Sequence, residues 1–278
     1  MVDAVKSTKN LATLFSSGEF LETDNSEEEI DSAIQNKWLQ KIFMKIRSKI
    51  GYDFSHYKFN TINRRIKRRM QANDVEDWAS YHSILQDKPE EIHRLFQELL
   101  IGVTNFFRDP KAFQMLREHI VEPLVMRETD SEKIRVWVPG CSSGEEAYSL
   151  AMLFQEVMEE KQRYFQVQIF ASDIDGGRVE QARSGLYSKA IASDVPEAYL
   201  KNYFRWTSDG YQVNRDIREM VVFAIQNLIS DPPFTKIDFI SCRNLLIYLD
   251  SSLHQRVFPL FHYALNPGGF LYFGISES

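Results

Sequence analysis

The chain has 278 residues, 44% hydrophobic and 13% aromatic, with a net charge of −6. This is a globular composition, long enough for one large domain or two smaller ones, with no apolar run of about 18 residues to cross a membrane and no basic-then-apolar start of the secretory kind. Two cysteines, Cys141 and Cys242, and six scattered histidines give neither a disulfide framework nor metal-site spacing, so reduced thiols, a cytoplasmic protein and no bound metal are expected.

Charge is segregated along the chain. Residues 1–36 set Lys6 and Lys9 against eight acids, whereas residues 37–71 hold eleven Lys or Arg against Asp53 alone. A basic block in an acidic chain marks a surface for an anionic partner. Residues 1–35 read as a flexible acidic tail or linker, with Leu11, Leu14 and Phe15 able to form a short amphipathic turn. Residues 36–128 read as a helical N-terminal subdomain. Trp38, Ile42, Ile46 and Ile50 recur every fourth residue, as do Ile62, Ile66 and Met70 in a helix that also carries Arg64, Arg65, Lys67, Arg68 and Arg69. A third helix holds Trp78, Tyr81 and Leu85, a fourth runs from Glu90 to Leu100, and another from Lys111 to about Met126.

After Ser131 the period changes. Strands are predicted at 134–138, 167–171, 221–226, 237–241 and 269–274, with helices between them, one starting at Asp250 and kinked or shortened by Pro259. An insert at about 186–216 carries a hairpin signal, Asp209-Gly210 between Tyr203–Trp206 and Tyr211–Val213. The fold class is α/β: a doubly wound, mostly parallel Rossmann-like sheet with an N-terminal all-helical subdomain and a small β-hairpin insert.

Such sheets bind ligands beyond the carboxyl ends of their strands. The segment 134–146, IRVWVPGCSSGEE, is a strand, a glycine turn and a helix start. Glu145 and Glu146 would repel a pyrophosphate there but suit a ligand with a cationic end, such as the amino and sulfonium groups of S-adenosylmethionine; they are equally readable as first-turn acids favoured by the helix dipole. Gly140, Gly144 and Glu145 follow the first strand, Asp173 ends the second, Asn227-Leu228 the third, and Asn244-Leu245 follows the fourth. Each polar residue also has a bland reading, as a helix cap or turn residue. Their recurrence at successive strand ends is what points to a cleft.

The segments VTNFFRDP (103–110), VWVPGCSSGEEAYSLAM (136–152), FASDID (170–175), CRNLLIYLD (242–250) and NPGGFLYFGISES (266–278) resemble, in order, the chemotaxis receptor glutamate methyltransferases, the CheR family. The resemblance implies a methyltransferase sheet over residues 129–278 that binds S-adenosyl-L-methionine and releases S-adenosyl-L-homocysteine, and methyl transfer to glutamates of receptor helices. Thr104 and Arg108 would approach the methionine end, Glu145 would help hold the cofactor, Asp173 its ribose, and Asn227, Leu228, Asn244 and Leu245 the adenosine side, with Gly140 in the turn. Arg108 and Tyr248 would lie nearest the reacting methyl. Alternatively, Arg108 pairs with Asp109 or a helix end and Tyr248 packs in the core.

Arg65, Arg68 and Arg69 would dock the acidic cytoplasmic helices of chemoreceptor-like proteins, or form only a solvated face. Gly102 stands where the family often has asparagine, and the short insert puts docking of a receptor tail in doubt. The sheet stops after its fifth strand, so the chain is expected to be a piece of a longer protein, with fused or associated signalling domains. Direct membrane insertion is not expected. Two further readings remain: a cofactor-sensing adaptor that does not methylate, and, through Asp231-Pro232-Pro233-Phe234, a nucleic-acid methyltransferase. The second is disfavoured because that motif precedes a strand instead of following it, so no nucleic-acid partner is expected.

Overall fold

The computed structural model describes residues 25–128, 133–274 and 277, with side chains from residue 34 onward. Four helices come first: α1 (Asn25–Ile50), α2 (Phe59–Ala72), α3 (Trp78–Asp87) and α4 (Pro89–Leu99). Of the predicted core, Ile42, Ile46, Ile62, Ile66, Tyr81 and Leu85 are fully buried, while Trp38, Ile50 and Trp78 are partly buried. The start differs. Helix α1 begins at Asn25, so residues 25–35 are helical where a linker was expected. The turn expected at Leu11, Leu14 and Phe15 lies outside the described residues.

The helix expected over 111–126 is three pieces: α5 (Pro110–Leu116), a π-helical turn (Arg117–Val121) and α6 (Glu122–Met126). Their apolar side chains, Phe113, Leu116, Val121, Leu124 and Val125, join the core of the sheet and not that of the helical bundle.

Strand β1 (Lys133–Pro139) leads to α7 (Glu145–Lys161), and β2 (Gln166–Asp173) to α8 (Gly176–Ser184). The insert follows as β3 (Leu186–Tyr187), a 3₁₀ turn (Lys189–Ser193), α9 (Glu197–Tyr203), β4 (Phe204–Thr207) and β5 (Gly210–Val213). Its hairpin closes at Asp209-Gly210 as predicted, and β3 makes it a separate three-stranded sheet in the order β3-β5-β4. Then come α10 (Arg215–Glu219), β6 (Val221–Ile225), β7 (Ile237–Cys242), a 3₁₀ turn (Leu246–Tyr248), α11 (Ser251–Ala264) and β8 (Leu265–Phe273).

The main sheet is parallel throughout, in the order β6-β2-β1-β7-β8. Alternation along β1 assigns its faces: Ile134, Val136 and Val138 pack with α7, while Trp137 packs on the other side with Val257 and Phe261 of α11. Pro259 neither ends nor shortens α11, which continues to Ala264. The sheet runs outward in both directions from β1, so the crevice of a doubly wound sheet opens where the chain leaves β1 and β7.

Candidate active site

The turn after β1 is built for close approach. Gly140 and Gly144 have φ of 70° and 92°, and a Cβ on Gly144 would sit 2.9 Å from that of Ala182 and 3.0 Å from the Phe223 ring. The Cys141 N–H donates to the Ser172 carbonyl at 3.0 Å, and the Ser142 N–H to Asp173 Oδ2 at 2.8 Å. The turn is thereby locked to the end of β2. Asp173 Oδ1 accepts the Asp175 N–H at 2.9 Å. Non-glycine residues with left-handed φ recur around this region: Ser142 (49°), Asn244 (56°), and Phe107 (49°) and Asp109 (65°) on either side of Arg108. Such backbone costs about 1–3 kcal/mol per residue and collects at functional sites.

These loops border a partly open cleft. Of the residues singled out from sequence, Gly140, Asp173, Asn227, Leu228, Asn244, Leu245 and Tyr248 line it together. Thr104, Arg108 and Glu145 are not among its lining residues, although Gly102 of the same loop is. Arg108 Nη1 donates to the Val103 carbonyl at 2.9 Å, a partner other than the Asp109 that the alternative reading gave it. Asn227 has its predicted turn role as well, since its Oδ1 accepts the Ile229 N–H at 3.0 Å.

The two acids of the helix start are not solvated first-turn residues. Glu145 is buried and accepts from Ser143 Oγ at 2.8 Å. Glu146 accepts from Ser241 Oγ at 2.7 Å and lies 3.6 Å from Arg243, whose Nη2 donates to the Arg108 carbonyl at 2.6 Å. Burial pushes the carboxyls of Glu145, Glu146 and Asp173 above the ordinary range. Burial likewise raises the thiols of Cys141 and Cys242, which are unreactive packed groups.

The basic helix departs most from expectation. Arg69 is turned inward, its Nε and Nη2 donating to the two oxygens of buried Glu91 at 2.9 and 2.7 Å, and Tyr81 donates to the same carboxylate at 3.0 Å. Arg65 is also mostly covered and donates to the Glu98 carbonyl at 2.5 Å. The exposed cations are Arg64, Lys67 and Arg68, which border a shallow hollow with Asn60, Asn63 and Gln71. The helical period placed Ile62, Ile66 and Met70 inside, but Arg65 and Arg69 flank that stripe and are captured by α4.

Several cleft residues carried no sequence signal. Tyr52 and Tyr57 come from the loop after α1, and Arg178 from α8. Glu277 accepts the N–H groups of Leu245 (2.7 Å), Leu246 (3.1 Å) and Gly274 (2.6 Å), fixing the loop that carries Asn244. Gln226 precedes Asn227; its Nε2 donates to the Pro232 carbonyl at 2.8 Å, leaving Oε1 buried without a partner. The Asp-Pro-Pro-Phe segment is scaffolding: Asp231 accepts the Asn227 N–H at 2.8 Å, and Phe234 stacks on Phe170 with ring centroids 4.7 Å apart.

The donor set fits an adenosyl sulfonium ligand. The cleft offers carboxylates, amides and apolar side chains, with Arg178 the one cation among its lining residues. The orphaned Gln226 Oε1 is an acceptor of the kind an exocyclic amine satisfies. Among the described residues there is no cluster that could hold a metal ion, and no helix is long and apolar enough to cross a membrane.

Comparison with known proteins agrees with this arrangement. Residues 37–100 match the all-alpha domain of CheR methyltransferases, and residues 102–278 their SAM binding domain. The chain is 42% identical over 226 residues to an uncharacterized 104.1 kDa protein of Rhodobacter capsulatus, covering 81% of this chain but 24% of that protein. It thus spans about a quarter of that relative's length. It is 34% identical over 236 residues to chemotaxis protein methyltransferase 2 of Vibrio cholerae (83% of this chain, 81% of that one), and 29% identical over 266 residues to the chemotaxis protein methyltransferase of Borreliella burgdorferi (93% and 94%). With both domains matched in order, the chain belongs to the CheR methyltransferase family.

Proposed function

We propose that the protein transfers a methyl group from S-adenosylmethionine to glutamate side chains in the cytoplasmic helices of chemoreceptor-like proteins, giving glutamyl methyl esters. The observation that carries the reading is the convergence of Asp173, Asn227, Asn244 and Tyr248 on one cleft, with the exposed cations of α2 on the helical region that borders it. The family membership supplies the cofactor class.

The bound cofactor contributes an activated sulfonium methyl. A glutamate carboxylate is already ionised at neutral pH, so no strong base is needed and the task is alignment. In this reading Asp173 accepts from the ribose hydroxyls, Asn227-Leu228 and Asn244-Leu245 border the adenosine, and Gly140 leaves room for the Leu245 side chain, which a Cβ there would meet at 3.0 Å. Thr104, Arg108 and Glu145 serve the methionine end, next to the part of the cleft that Gly102 and Ser142 line. Arg108 releases the Val103 carbonyl and takes the substrate carboxylate through two N–H donors. Tyr248 orients one carboxylate oxygen and helps to exclude water. Arg64, Lys67 and Arg68 meet the acidic substrate helix, in place of the Arg65, Arg68 and Arg69 set, because Arg65 and Arg69 are covered and held by α4, whereas Arg68, although 3.5 Å from Glu98, stays exposed.

The experiment is incubation with methyl-labelled S-adenosylmethionine and receptor cytoplasmic fragments. Base-labile label on the receptor supports the proposal. Label on nucleic acid, or cofactor binding with no transfer to any such fragment, refutes it.

A further inference from the structure

The loop between α1 and α2, residues 51–58, is where the helical region reaches the cleft. On its inner side Tyr52 and Phe54 are buried in the helical core, and the rings of Tyr52, Phe54, Tyr57 and Phe96 meet edge to face with centroids 4.7 to 6.1 Å apart. On its outer side the loop is stitched to the segment that carries Tyr248. The Lys58 N–H donates to the Tyr248 carbonyl at 3.0 Å, and the Asp250 N–H to the His56 carbonyl at 2.9 Å. Tyr57 and Leu249 form an antiparallel bridge, and His56 lies 3.4 Å from Asp250. Held from both sides, Tyr52 and Tyr57 line the same cleft as Asp173 and Asn227.

The two phenol oxygens are 2.5 Å apart. Two phenols carry two protons. One occupies the bond between them, and the other has no acceptor among the described residues. Both phenols stay neutral, because burial raises them: Tyr52 is pushed up to about 12, and Tyr57 is raised well above its ordinary value by burial and then by Tyr52 beside it. Asp173 only accepts, and its two oxygens already hold backbone N–H groups that fix its direction. A fixed carboxylate and a phenol pair with one proton to give, lining the same cleft, are complementary to a vicinal diol: a hydroxyl donates to the carboxylate while its oxygen accepts from the phenol.

We propose that Tyr52 and Tyr57 are cofactor-contacting residues lent by the helical region, their spare phenolic hydrogen donating to a ribose hydroxyl of the S-adenosyl group opposite Asp173. This rests on the reading of the cleft as the cofactor site. It gives the helical region a second task besides docking, since cofactor affinity then depends on a loop outside the sheet.

The test is calorimetric titration of the full chain and its Tyr52→Phe and Tyr57→Phe variants with S-adenosylhomocysteine and with its 2′-deoxy and 3′-deoxy analogues. At least one variant is expected to bind S-adenosylhomocysteine about 3- to 10-fold more weakly, the range of one neutral hydrogen bond. That variant should bind one of the deoxy analogues as the parent chain does, because the contacted hydroxyl is already gone. Affinities unchanged in both variants, or an equal loss for all three ligands, overturn the proposal. Comparing ligands within one variant keeps the test valid if a substitution lowers the melting temperature. Failure of the unsubstituted chain to bind S-adenosylhomocysteine would refute the cofactor reading itself.

Discussion

Two sets of buried carboxylates occupy this molecule and behave in opposite ways. Glu91 in the helical core is 1% exposed, and it is saturated by Arg69 and Tyr81. Burial alone would push its carboxyl up, but those hydrogen bonds and the Arg69 charge hold it below the ordinary range. Asp173 lines the cleft and Glu145 and Glu146 open the helix after the β1 turn; in all three burial outweighs the partners and the carboxyls are raised. A carboxylate whose partners outweigh its desolvation stabilises the fold. One left with net desolvation costs stability in its ionised form and is available to a ligand with hydroxyl or cationic groups.

The largest expected effect removes the first kind. Glu91→Ala strands Arg69 and Tyr81 without a partner and should cost about 3 kcal/mol in chemical denaturation, with S-adenosylhomocysteine affinity unchanged. Because the Glu91 carboxyl is lowered in the folded state, its contribution is complete above the unfolded value and disappears as pH falls through the folded one. The parent chain should therefore show a loss of stability below about pH 4 that the variant lacks. Asp173→Asn tests the second kind: affinity for S-adenosylhomocysteine should fall roughly 30-fold by calorimetry. Since the Asp173 carboxyl is raised, acid should neutralise it before Glu91, so cofactor affinity declines at a higher pH than stability does. Coincident pH profiles would erase the contrast.

Smaller effects sharpen the boundary between the regions. Gly144→Ala places a Cβ against Ala182 and Phe223 at left-handed φ, and should destabilise by about 1–2 kcal/mol in thermal melts while leaving the helical core intact. Arg64→Glu with Arg68→Glu, on the exposed side of α2, should raise KM for receptor fragments about 5-fold at low salt with kcat unchanged, the difference shrinking as salt screens it. An equal change in S-adenosylhomocysteine affinity would argue against a docking role.

The sheet was legible because strand length, helical period and glycine turns are local: four of the five core strands fall within two residues of their predicted bounds, while β8 starts at Leu265, four residues before the predicted Gly269. The element ends were less so. Pro259 lies in a helix that tertiary packing carries on to Ala264, and the π turn at Arg117–Val121 has no signature distinct from ordinary helix. In the site, the strand-end polar residues were found because they sit at fixed offsets from recognisable strands. Tyr52 and Tyr57 were not, because a chain crossing from the helical region to the sheet brings them there and no periodicity records such a crossing. The orientation of Arg65 and Arg69 was hidden for a related reason: helical spacing gives the angle of a side chain, but not the carboxylate or carbonyl that waits on a neighbouring helix.

Burial of both native thiols has a practical consequence. With Cys141 and Cys242 protonated and sealed from solvent, the chain offers maleimide or iodoacetamide reagents almost nothing at neutral pH. A single Gln71→Cys substitution at the exposed end of α2 would then accept one fluorophore cleanly, so encounters between this surface and a receptor could be followed by anisotropy or energy transfer without first removing any native sulfur.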